Sequence, residues 1–334
     1  MTKGDNLKGS NSLPGGDIVK EYLRKYPESS SNLLSRIIFS ECPGVYPSQD
    51  AVRQRIRYYR GSHGDKDRSR MCPDSFIPKI EIPPSEPEPF GFFNLAYEDF
   101  PAIFGGDAHI PYHDQDALEI FIERAVAMNA KTIGLMGDFI DMYQVSRFSR
   151  DPRMRSVNDE IETVKTILSI IRKACPKARI LYKYGNHEER YDDYMMRSAP
   201  ELFGIPSIHL ENLIGLEEND IELIKNKNVI KANHLFLLHG HEYVYSISNP
   251  VNPARGLYNR AKKSAICWHH HQTSDHTEPS IDGDVIGDWS SGCLCGLHPQ
   301  YMPLNKWNLG FTEIDMDEDS FSVNNRKIIN YRVV

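Results

Sequence analysis

The stretch YKYGNHEERYDD, Tyr182–Asp193, decides how this chain is organised. An apolar run ends at Gly185, and an asparagine, a histidine and two glutamates follow it directly. Polar side chains packed this densely after a strand form either a solvated turn or the rim of a site. The other strand ends in the sequence distinguish these two interpretations.

Five short apolar runs predict β-strands, at residues 102–104, 132–136, 178–184, 234–239 and 264–267. Each run leads into a polar cluster, and the clusters read GGDAH (105–109), GDFID (137–141), GNHEER (185–190), HGHEY (239–243) and WHHHQ (268–272). Apolar residues at helical spacing fill the first two gaps, over 116–128 and 157–174, which predicts an α/β domain. Runs near 284–295, 310–315 and 321–334 have no helix between them and predict a second, more antiparallel sheet.

The polar clusters supply candidate metal ligands. In open α/β sheets ligands bind beyond the carboxyl ends of the strands, so the five clusters are expected to converge on one edge. Carboxylate oxygen, amide oxygen and imidazole nitrogen form a mixed donor set that suits manganese, iron or zinc. There are enough donors for two metal ions, and Asp138 is the candidate for a carboxylate that bridges them. The candidate ligands are Asp107, His109, Asp138, Asn186, His239, His269 and His271.

The composition is that of an ordinary globular protein, with 40% hydrophobic and 25% charged residues. The length of 334 residues predicts two folded units, since one domain takes about 150 residues. No apolar run approaches the roughly 20 residues of a membrane span, and the first residues lack the apolar core of a signal peptide. Six scattered cysteines suit a reducing compartment. We therefore expect a cytoplasmic protein that makes no membrane contact.

Changes in composition divide the chain into four parts. Residues 1–15 are predicted to be a disordered lead-in, 16–72 a small all-α module, 73–95 a proline-rich linker and 96–334 the α/β domain. Six prolines between Pro73 and Pro89 carry the linker prediction, because proline resists helix formation. Residues 1–84 have a formal charge of +4 and the remainder −11, so the basic character is local.

The N-terminal module is predicted to hold three amphipathic helices, over residues 16–26, 30–41 and 48–61, with Ser48 as the N-cap of the third. The third segment places Arg53, Arg57 and Arg60 on one exposed side. Three helices with a basic last one indicate a helix-turn-helix-like module whose last helix enters a major groove of DNA. The alternative is a solvated arginine face on a small helical bundle.

The ordered set of motifs resembles the calcineurin-like metallophosphoesterase superfamily over residues 100–315. The set comprises D-x-H at 107–109, G-D-x-x-D at 137–141, G-N-H-E at 185–188, H-G-H at 239–241 and H-x-H at 269–271. The segments GDAHIPYHD, GDFIDMYQVSRFSRDP, GNHEERYDDYM and SSGCLCGLHPQYMPLNKWNLGF are similar to a branch found in phages and prophages. The resemblance implies a four-layer αββα sandwich and, for a phage protein, the cytoplasm of the bacterial host.

The resemblance also implies a role for each matched residue. The first metal ion would be held by Asp107, His109 and His271, the second by Asn186, His239 and His269, with Asp138 as the bridge. His187 would protonate the leaving alkoxide, Asp141 would pair with His187, and Arg190 would contact phosphate. The cofactors implied are two divalent ions, manganese first, with iron or zinc as alternatives. Two such cations bind phosphoryl oxygens and a bridging water, so that hydroxide attacks phosphorus in line.

Some positions depart from the family pattern or leave alternatives open. Met142 stands where protein phosphatases of the superfamily carry arginine, which disfavours a protein substrate. Trp268 replaces the usual glycine of the last motif. His241 is predicted either to contact phosphate or to orient its loop. Glu188 is predicted to cap the following helix or to support the ligands by hydrogen bonds.

Three functions are compatible with the sequence. The first is a two-metal phosphodiesterase or nuclease acting on DNA or RNA, which the basic N-terminal module favours. The second is a phosphomonoesterase or cyclic-nucleotide phosphodiesterase, with the N-terminal helices serving assembly as a homo-oligomer. The third is a DNA-binding regulator whose metal site is structural.

Overall fold

The computed structural model describes residues 15–61, 82–87, 90–147, 151, 153, 156–243 and 251–334. The chain divides into two compact units, Met1–Glu88 and Pro89–Val334. Residues 1–14 of the predicted lead-in, residues 62–72 of the predicted module and much of the predicted linker lie outside the described residues. The four domain bounds from the sequence therefore stay predictions.

The described residues of the first unit form the helices α1 (Gly16–Lys25), α2 (Ser31–Glu41) and α3 (Gln49–Tyr59). Ser48 is the N-cap of α3, as predicted, and its side chain accepts a hydrogen bond from the amide of Ala51. Ser30 caps α2 in the same way. The apolar faces of the helices meet in a small core of Val19, Leu23, Leu34, Ile38, Tyr46, Val52 and Ile56.

The second unit alternates strands and helices over most of its length. Its elements are β1 (Phe93–Leu95), β2 (Ala102–Gly105), α4 (Gln115–Ala127), β3 (Thr132–Met136), α5 (Val157–Ala174), β4 (Arg179–Lys183), α6 (Asn186–Ser198), α7 (Pro200–Phe203), α8 (Leu210–Leu213), β5 (Ile221–Ile224), β6 (Ile230–Ala232), β7 (Leu235–Leu238), α9 (Pro253–Ala261), β8 (Ala265–Cys267), β9 (Ser274–Pro279), β10 (Val285–Ser290), β11 (Gly310–Met316), β12 (Phe321–Ile329) and β13 (Arg332–Val333). The five strands and two helices predicted from apolar runs are confirmed as β2, β3, β4, β7, β8, α4 and α5.

The strands form two mixed sheets. A seven-stranded sheet has the order β13-β12-β11-β2-β3-β4-β5, and a six-stranded sheet has the order β1-β6-β7-β8-β10-β9. Strands β2 to β5 run parallel, as do β7, β8 and β10. The carboxyl ends of each parallel set therefore lie together at one edge of its sheet.

The predicted grouping of strands into sheets is wrong. Strands β7 and β8 do not continue the parallel sheet of β2 to β4, because they lie at the centre of the six-stranded sheet. Strand β11 pairs antiparallel with β2 and carries β12, so these late strands extend the first sheet. The physical reason is that an apolar run identifies a buried strand without specifying its partner. Strand β11 is buried on both faces over its first five residues, which suits a position between β2 and β12.

Apolar clusters show how the layers pack. One cluster combines Phe104, Met136 and Leu181 of the seven-stranded sheet with Leu237 and Ile266 of the six-stranded sheet. A second cluster joins the seven-stranded sheet to α4 and α5, and a third joins the six-stranded sheet to Leu257 of α9. No helix in the part of the chain that the structure describes combines the length and apolar character needed to cross a bilayer.

Candidate metal centre

The seven predicted ligands all lie just beyond strand ends. Asp107 and His109 follow β2, Asp138 follows β3, and Asn186 begins α6 after β4. His239 follows β7 of the other sheet, and His269 and His271 follow β8. The two packed sheets thus contribute ligand loops to one place.

The carboxylate of Asp138 lies at the centre of this group. Its Oδ2 is 3.3 Å from Nε2 of His239 and 4.0 Å from Nε2 of His109. Its Oδ1 accepts a hydrogen bond of 2.8 Å from the backbone amide of His187. Asp138 therefore faces imidazoles of both predicted metal groups, as a bridging carboxylate must.

Short distances join the remaining ligands on either side of Asp138. Asp107 Oδ1 lies 3.2 Å from Nε2 of His271, and that nitrogen lies 3.2 Å from Nε2 of His109. On the other side, Nε2 of His239 lies 3.2 Å from Nδ1 of His269. Asp138, His239 and His269 offer ligand atoms within 4.8 Å of one another, which is close enough for one cation.

A buried oxygen atom without a donor shows that the residues fit a cation. Within the described residues, Oδ1 of Asn186 is buried and accepts no hydrogen bond, whereas Oδ1 of Asp107 faces the imidazole of His271 at 3.2 Å. A buried polar atom left without a partner costs about 1–3 kcal/mol, so such atoms are rare unless something binds them. Together with the imidazole nitrogens these oxygens form a mixed oxygen and nitrogen set that suits a divalent transition metal.

Five of the seven candidate ligands adopt left-handed backbone conformations. The φ angles are 52° for Asp107, 48° for His109, 48° for Asp138, 70° for His269 and 55° for His271. Residues other than glycine rarely adopt positive φ, and such backbone strain concentrates at functional sites. Strain at five ligand positions indicates that the loops are shaped to aim side chains at a common point.

Two glycines of the motifs are required by close packing. A Cβ atom on Gly185 would lie 2.3 Å from Oδ1 of Asp138, and one on Gly137 would lie 2.6 Å from Nδ1 of His239. Gly137 also has a φ of 92°, which favours glycine. The G-D and G-N pairs of the sequence thus allow the ligand loops to approach each other.

Glu188 ties the loops after β3 and β4 together. Its buried carboxylate accepts hydrogen bonds of 2.9 Å from the amides of Asp138 and Phe139 and of 2.8 Å from the amide of Gly185. Burial and the nearby negative charge of Asp138 raise the pKa of Glu188. The predicted capping and supporting roles are therefore both present, since Gly185 is the N-cap of α6.

The predicted acid catalyst is held by Asp141. Oδ1 of Asp141 lies 3.1 Å from Nδ1 of His187 and 3.1 Å from Nδ1 of His109. Burial opposes ionisation of Asp141, but the hydrogen bonds from both imidazoles outweigh it and hold its pKa well below the usual range. Burial also opposes protonation of His187, and the negative charges of Asp138 and Asp141 overcome it, so the pKa of His187 is raised.

Arg190 lies against the other side of the same imidazole. A guanidinium nitrogen of Arg190 is 2.7 Å from Nε2 of His187, and another donates to the carbonyl oxygen of Asp141 at 3.0 Å. A guanidinium has only donors, so Nε2 of His187 acts as an acceptor in this arrangement. Nε2 of His187 can hold a proton of its own only when Arg190 has moved away.

Carboxylates dominate the electrostatics of the pocket. Burial lowers the pKa of His239, but the negative charges of Asp138 and Asp107 reverse the effect and raise it to about 10. The pKa of His269, which lies beside His239, falls to about 3 through burial and the neighbouring imidazole charge. The pocket therefore favours positive charge at its centre, whether proton or cation.

Cys295 is a site residue that the sequence interpretation missed. Its buried Sγ lies 3.8 Å from Nδ1 of His271. The sequence carries no signal for this contact, because it depends on how β10 pairs. Strand β10 runs parallel to β8, so the segment that follows β10 reaches the same edge as the candidate ligands.

A direct contact bears on the predicted role of His241. Its Nε2 lies 3.1 Å from a carboxylate oxygen of Glu189, which favours the loop-orienting interpretation. A phosphate contact by His241 stays a prediction.

The predicted nucleic-acid contacts lie in the first unit. Arg53 pairs with Asp50 at 2.8 Å and is partly exposed, and Arg57 is exposed. Arg60 donates to the side chain of Ser31 at 2.9 Å and to the carbonyl oxygen of Pro27 at 3.2 Å. The guanidinium of Arg60 thus holds the turn before α2, and nucleic-acid binding by this unit stays a prediction.

Comparison with known proteins gives only distant similarity. No family model and no curated protein matches the chain. Among solved structures, Vps29 of Entamoeba histolytica complexed with Zn²⁺ has a TM-score of 0.36 and 12% identity, covering 70% of this chain and 95% of that chain. Vps29 of Chaetomium thermophilum has a TM-score of 0.37 and 11% identity, covering 70% and 94%. Likeness at this level assigns neither family nor function.

Proposed function

We propose that the chain is a two-metal phosphoester hydrolase that cleaves phosphodiesters of nucleic acid. The observation that carries the proposal is the position of Asp138 between His109 and His239, at 4.0 and 3.3 Å. A carboxylate shared by two groups of ligands is the arrangement that holds two cations close together. The motifs of the sequence support the same conclusion independently.

The donor set defines which residues would hold the ions. Asp107, His109 and His271 would hold one, Asn186, His239 and His269 the other, and Asp138 both. Manganese is the ion we propose, with iron and zinc as alternatives of similar ligand preference. When bound, two divalent cations would polarise the phosphoryl group and make a water acidic enough to supply the nucleophile.

The chain's own side chains complete the reaction. His187 would deliver a proton from Nε2 to the leaving oxygen, and Asp141 would keep the imidazole oriented through Nδ1. Arg190 would leave Nε2 of His187 to bind a phosphoryl oxygen, because a guanidinium forms stronger hydrogen bonds to an anion than to a neutral imidazole. Binding of the substrate to Arg190 would thereby free Nε2 of His187 to act as the proton donor.

We further propose that the second unit is a calcineurin-like metallophosphoesterase of the phage and prophage branch, acting in the bacterial cytoplasm. Apolar packing between the two sheets, with α4, α5 and α9 against them, supports a four-layer αββα sandwich. The first unit would be a helix-turn-helix-like module that brings DNA or RNA to the enzyme, with Arg53 and Arg57 as contacts.

The first test is Mn²⁺-dependent hydrolysis of bis-p-nitrophenyl phosphate beside p-nitrophenyl phosphate, with Asp138→Asn as the blank. Preference for the diester would support the proposal. Preference for the monoester would replace it with a phosphomonoesterase. A protein that retains manganese and hydrolyses neither ester would favour a regulator with a structural metal site.

The nucleic-acid role of the first unit is tested separately. The full chain with Arg53→Ala and Arg57→Ala should bind DNA or RNA more weakly than the parent chain. Its affinity should also depend less on salt, because each lost phosphate contact lowers the salt slope by about 1. Arg255→Ala, an exposed arginine of α9 in the other unit, is the matched control. Equal affinity of the parent chain and the double variant for nucleic acid would show that Arg53 and Arg57 do not bind it.

A further inference from the structure

A basic cleft lies along helix α6 beside the candidate metal centre. The cleft has a volume of about 360 Å³, and one face of α6 lines it with Asn186, Glu189, Arg190, Asp193 and Arg197. These positions recur every three or four residues, so their side chains share one side of the helix. Because Asn186 is a candidate metal ligand, the cleft begins at the metal centre and continues along α6.

The length of α6 separates the cations in the cleft. With a rise of 1.5 Å per residue, the Cα atoms of Arg190 and Arg197 stand about 6 Å and about 16 Å from that of Asn186 along the helix axis. Nε of Arg197 donates to the carbonyl oxygen of Asp193 at 2.9 Å, so its guanidinium lies about one turn nearer to the metal centre than its Cα. A phosphoryl group at the metal centre lies within reach of Arg190, and Arg197 can bind a second anion further along the cleft.

The charge of the cleft is opposite to that of its surroundings. Arg147 and Lys227 join Arg190 and Arg197 in the lining, against the carboxylates of Glu189 and Asp193. Residues 85–334 as a whole carry a formal charge of −11. A cationic cleft in an acidic unit concentrates anions beside the metal centre.

The carboxylate of Glu189 already contacts two basic side chains. It lies 3.1 Å from Nε2 of His241 and 3.7 Å from Nζ of Lys227. Lys227 is half exposed, so its contact with Glu189 is a weak surface pair that leaves it able to bind an anion.

A buried nitrogen in the lining supports a ligand at this place. The side chain of His241 is 6% exposed, and within the described residues its Nδ1 makes no hydrogen bond. The nearest carboxylate oxygen, from Glu242, lies 3.8 Å from this nitrogen, beyond hydrogen-bond distance. An unsatisfied buried nitrogen is expected where a polar ligand completes its contacts.

We propose that this cleft binds a second phosphate of the substrate, separated from the scissile phosphate by a sugar, through Arg197 and Lys227. The proposal rests on the phosphoesterase function and narrows its substrate to a short single-stranded oligonucleotide. The volume of the cleft lies at the lower end for small-molecule sites, which excludes a duplex within it. The phosphates of a pyrophosphate are joined by one oxygen and lie closer together than phosphates on the two sides of a sugar.

The test measures binding rather than turnover, so that it does not depend on activity. Titration calorimetry with Mn²⁺ present compares thymidine 3′,5′-bisphosphate, thymidine 5′-monophosphate and thymidine 5′-diphosphate. We expect the bisphosphate to bind about tenfold more tightly than the monophosphate, since one charge-assisted pair contributes about that factor. Arg197→Ala and Lys227→Ala should each reduce this ratio towards one. Arg255→Ala should leave it unchanged.

Several outcomes would overturn the subsite. Equal affinities for the bisphosphate and the monophosphate would do so, as would an Arg197→Ala variant that keeps the full ratio. A lower melting temperature of Arg197→Ala with an unchanged ratio would show that Arg197 only stabilises the last turn of α6. Tighter binding of the 5′-diphosphate would indicate a pyrophosphate site instead. If the protein does not hydrolyse bis-p-nitrophenyl phosphate, the proposed function is wrong. The ratio of bisphosphate to monophosphate affinity can still be measured in that case, so the two proposals are tested separately.

Discussion

Nδ1 of His239 lies 2.8 Å from the carbonyl oxygen of Met136, so the ring donates a proton there and turns Nε2 towards Asp138. Met136 ends β3 of the seven-stranded sheet, whereas His239 follows β7 of the six-stranded sheet. One hydrogen bond therefore selects the nitrogen that faces the site and joins the two sheets. Contacts of this kind typically tune metal affinity as strongly as they tune orientation.

Replacement of Asp138 should remove the metal centre. In Asp138→Asn the shared carboxylate becomes a neutral amide, which binds cations more weakly. We expect bound manganese per chain to fall and diester hydrolysis to drop at least about 100-fold. Metal analysis after gel filtration and initial rates measure the two effects. Asp284→Asn, at an exposed turn, is the matched control. Full metal content and rate in Asp138→Asn would contradict the bridging role.

Replacement of Cys295 should weaken metal binding without removing a direct ligand. Sγ of Cys295 is the neighbour of Nδ1 of His271, and its loss leaves the ring less firmly oriented. We expect Cys295→Ala to lower manganese affinity about 10- to 100-fold, as loss of such supporting contacts usually does. Competition with a fluorescent chelator measures the affinity. Cys175→Ala changes another buried cysteine, at the end of α5, and should have no effect.

Replacement of His187 should slow the reaction according to the leaving group. A proton donor matters when the leaving oxygen is a poor one, and p-nitrophenolate leaves without a proton at neutral pH. We expect His187→Asn to slow cleavage of a dinucleotide by about 10²- to 10⁴-fold. Cleavage of bis-p-nitrophenyl phosphate should fall by less than about tenfold. His298→Asn, at an exposed position, serves as control. Equal losses for both substrates would rule out proton donation to the leaving group by His187.

The sequence predicted the position of the candidate ligands at strand ends, but not the pairing of the strands into sheets. Asp107, Asp138 and His239 follow buried strands, and their strand ends lie together because the two sheets pack against each other. The partners of β7, β8 and β11 depend on packing between distant segments, which apolar periodicity does not encode.

The cleft along α6 and the contact of Cys295 could not be predicted for a different reason. Arg197 is a typical residue for the last turn of a helix, and Cys295 a typical core residue. Their significance arises only from what lies beside them in three dimensions. For Arg60 the sequence suggested a function that the structure does not favour. Its side chain was predicted to contact nucleic acid, but it hydrogen-bonds to Ser31 and stabilises the turn before α2.

Asp288 should make the stability of the second unit depend on pH. It is fully buried on β10, and within the described residues neither carboxylate oxygen accepts a hydrogen bond. Burial raises its pKa from 3.8 to about 8. The unfolded chain therefore loses the proton first as pH rises, and this residue lowers the free energy of unfolding progressively between about pH 4 and pH 8.

Asp288→Asn tests this dependence, because asparagine does not ionise. The variant should be more stable than the parent at pH 8, by about 1–3 kcal/mol, and equally stable near pH 4. Urea unfolding followed by tryptophan fluorescence reports on the second unit, which contains Trp268, Trp289 and Trp307. Parallel stability curves from pH 4 to pH 8 would show that Asp288 has an ordinary pKa.

The ligand loops come from both sheets, and this origin determines when the site can exist during folding. The amide of His269 donates to Asp107 at 2.9 Å, although the two residues are 162 positions apart along the chain. Closing so long a loop is entropically costly, so these contacts form after both sheets are in place. Metal ions would then bind only the folded protein. They would lower the unfolding rate and leave the refolding rate unchanged.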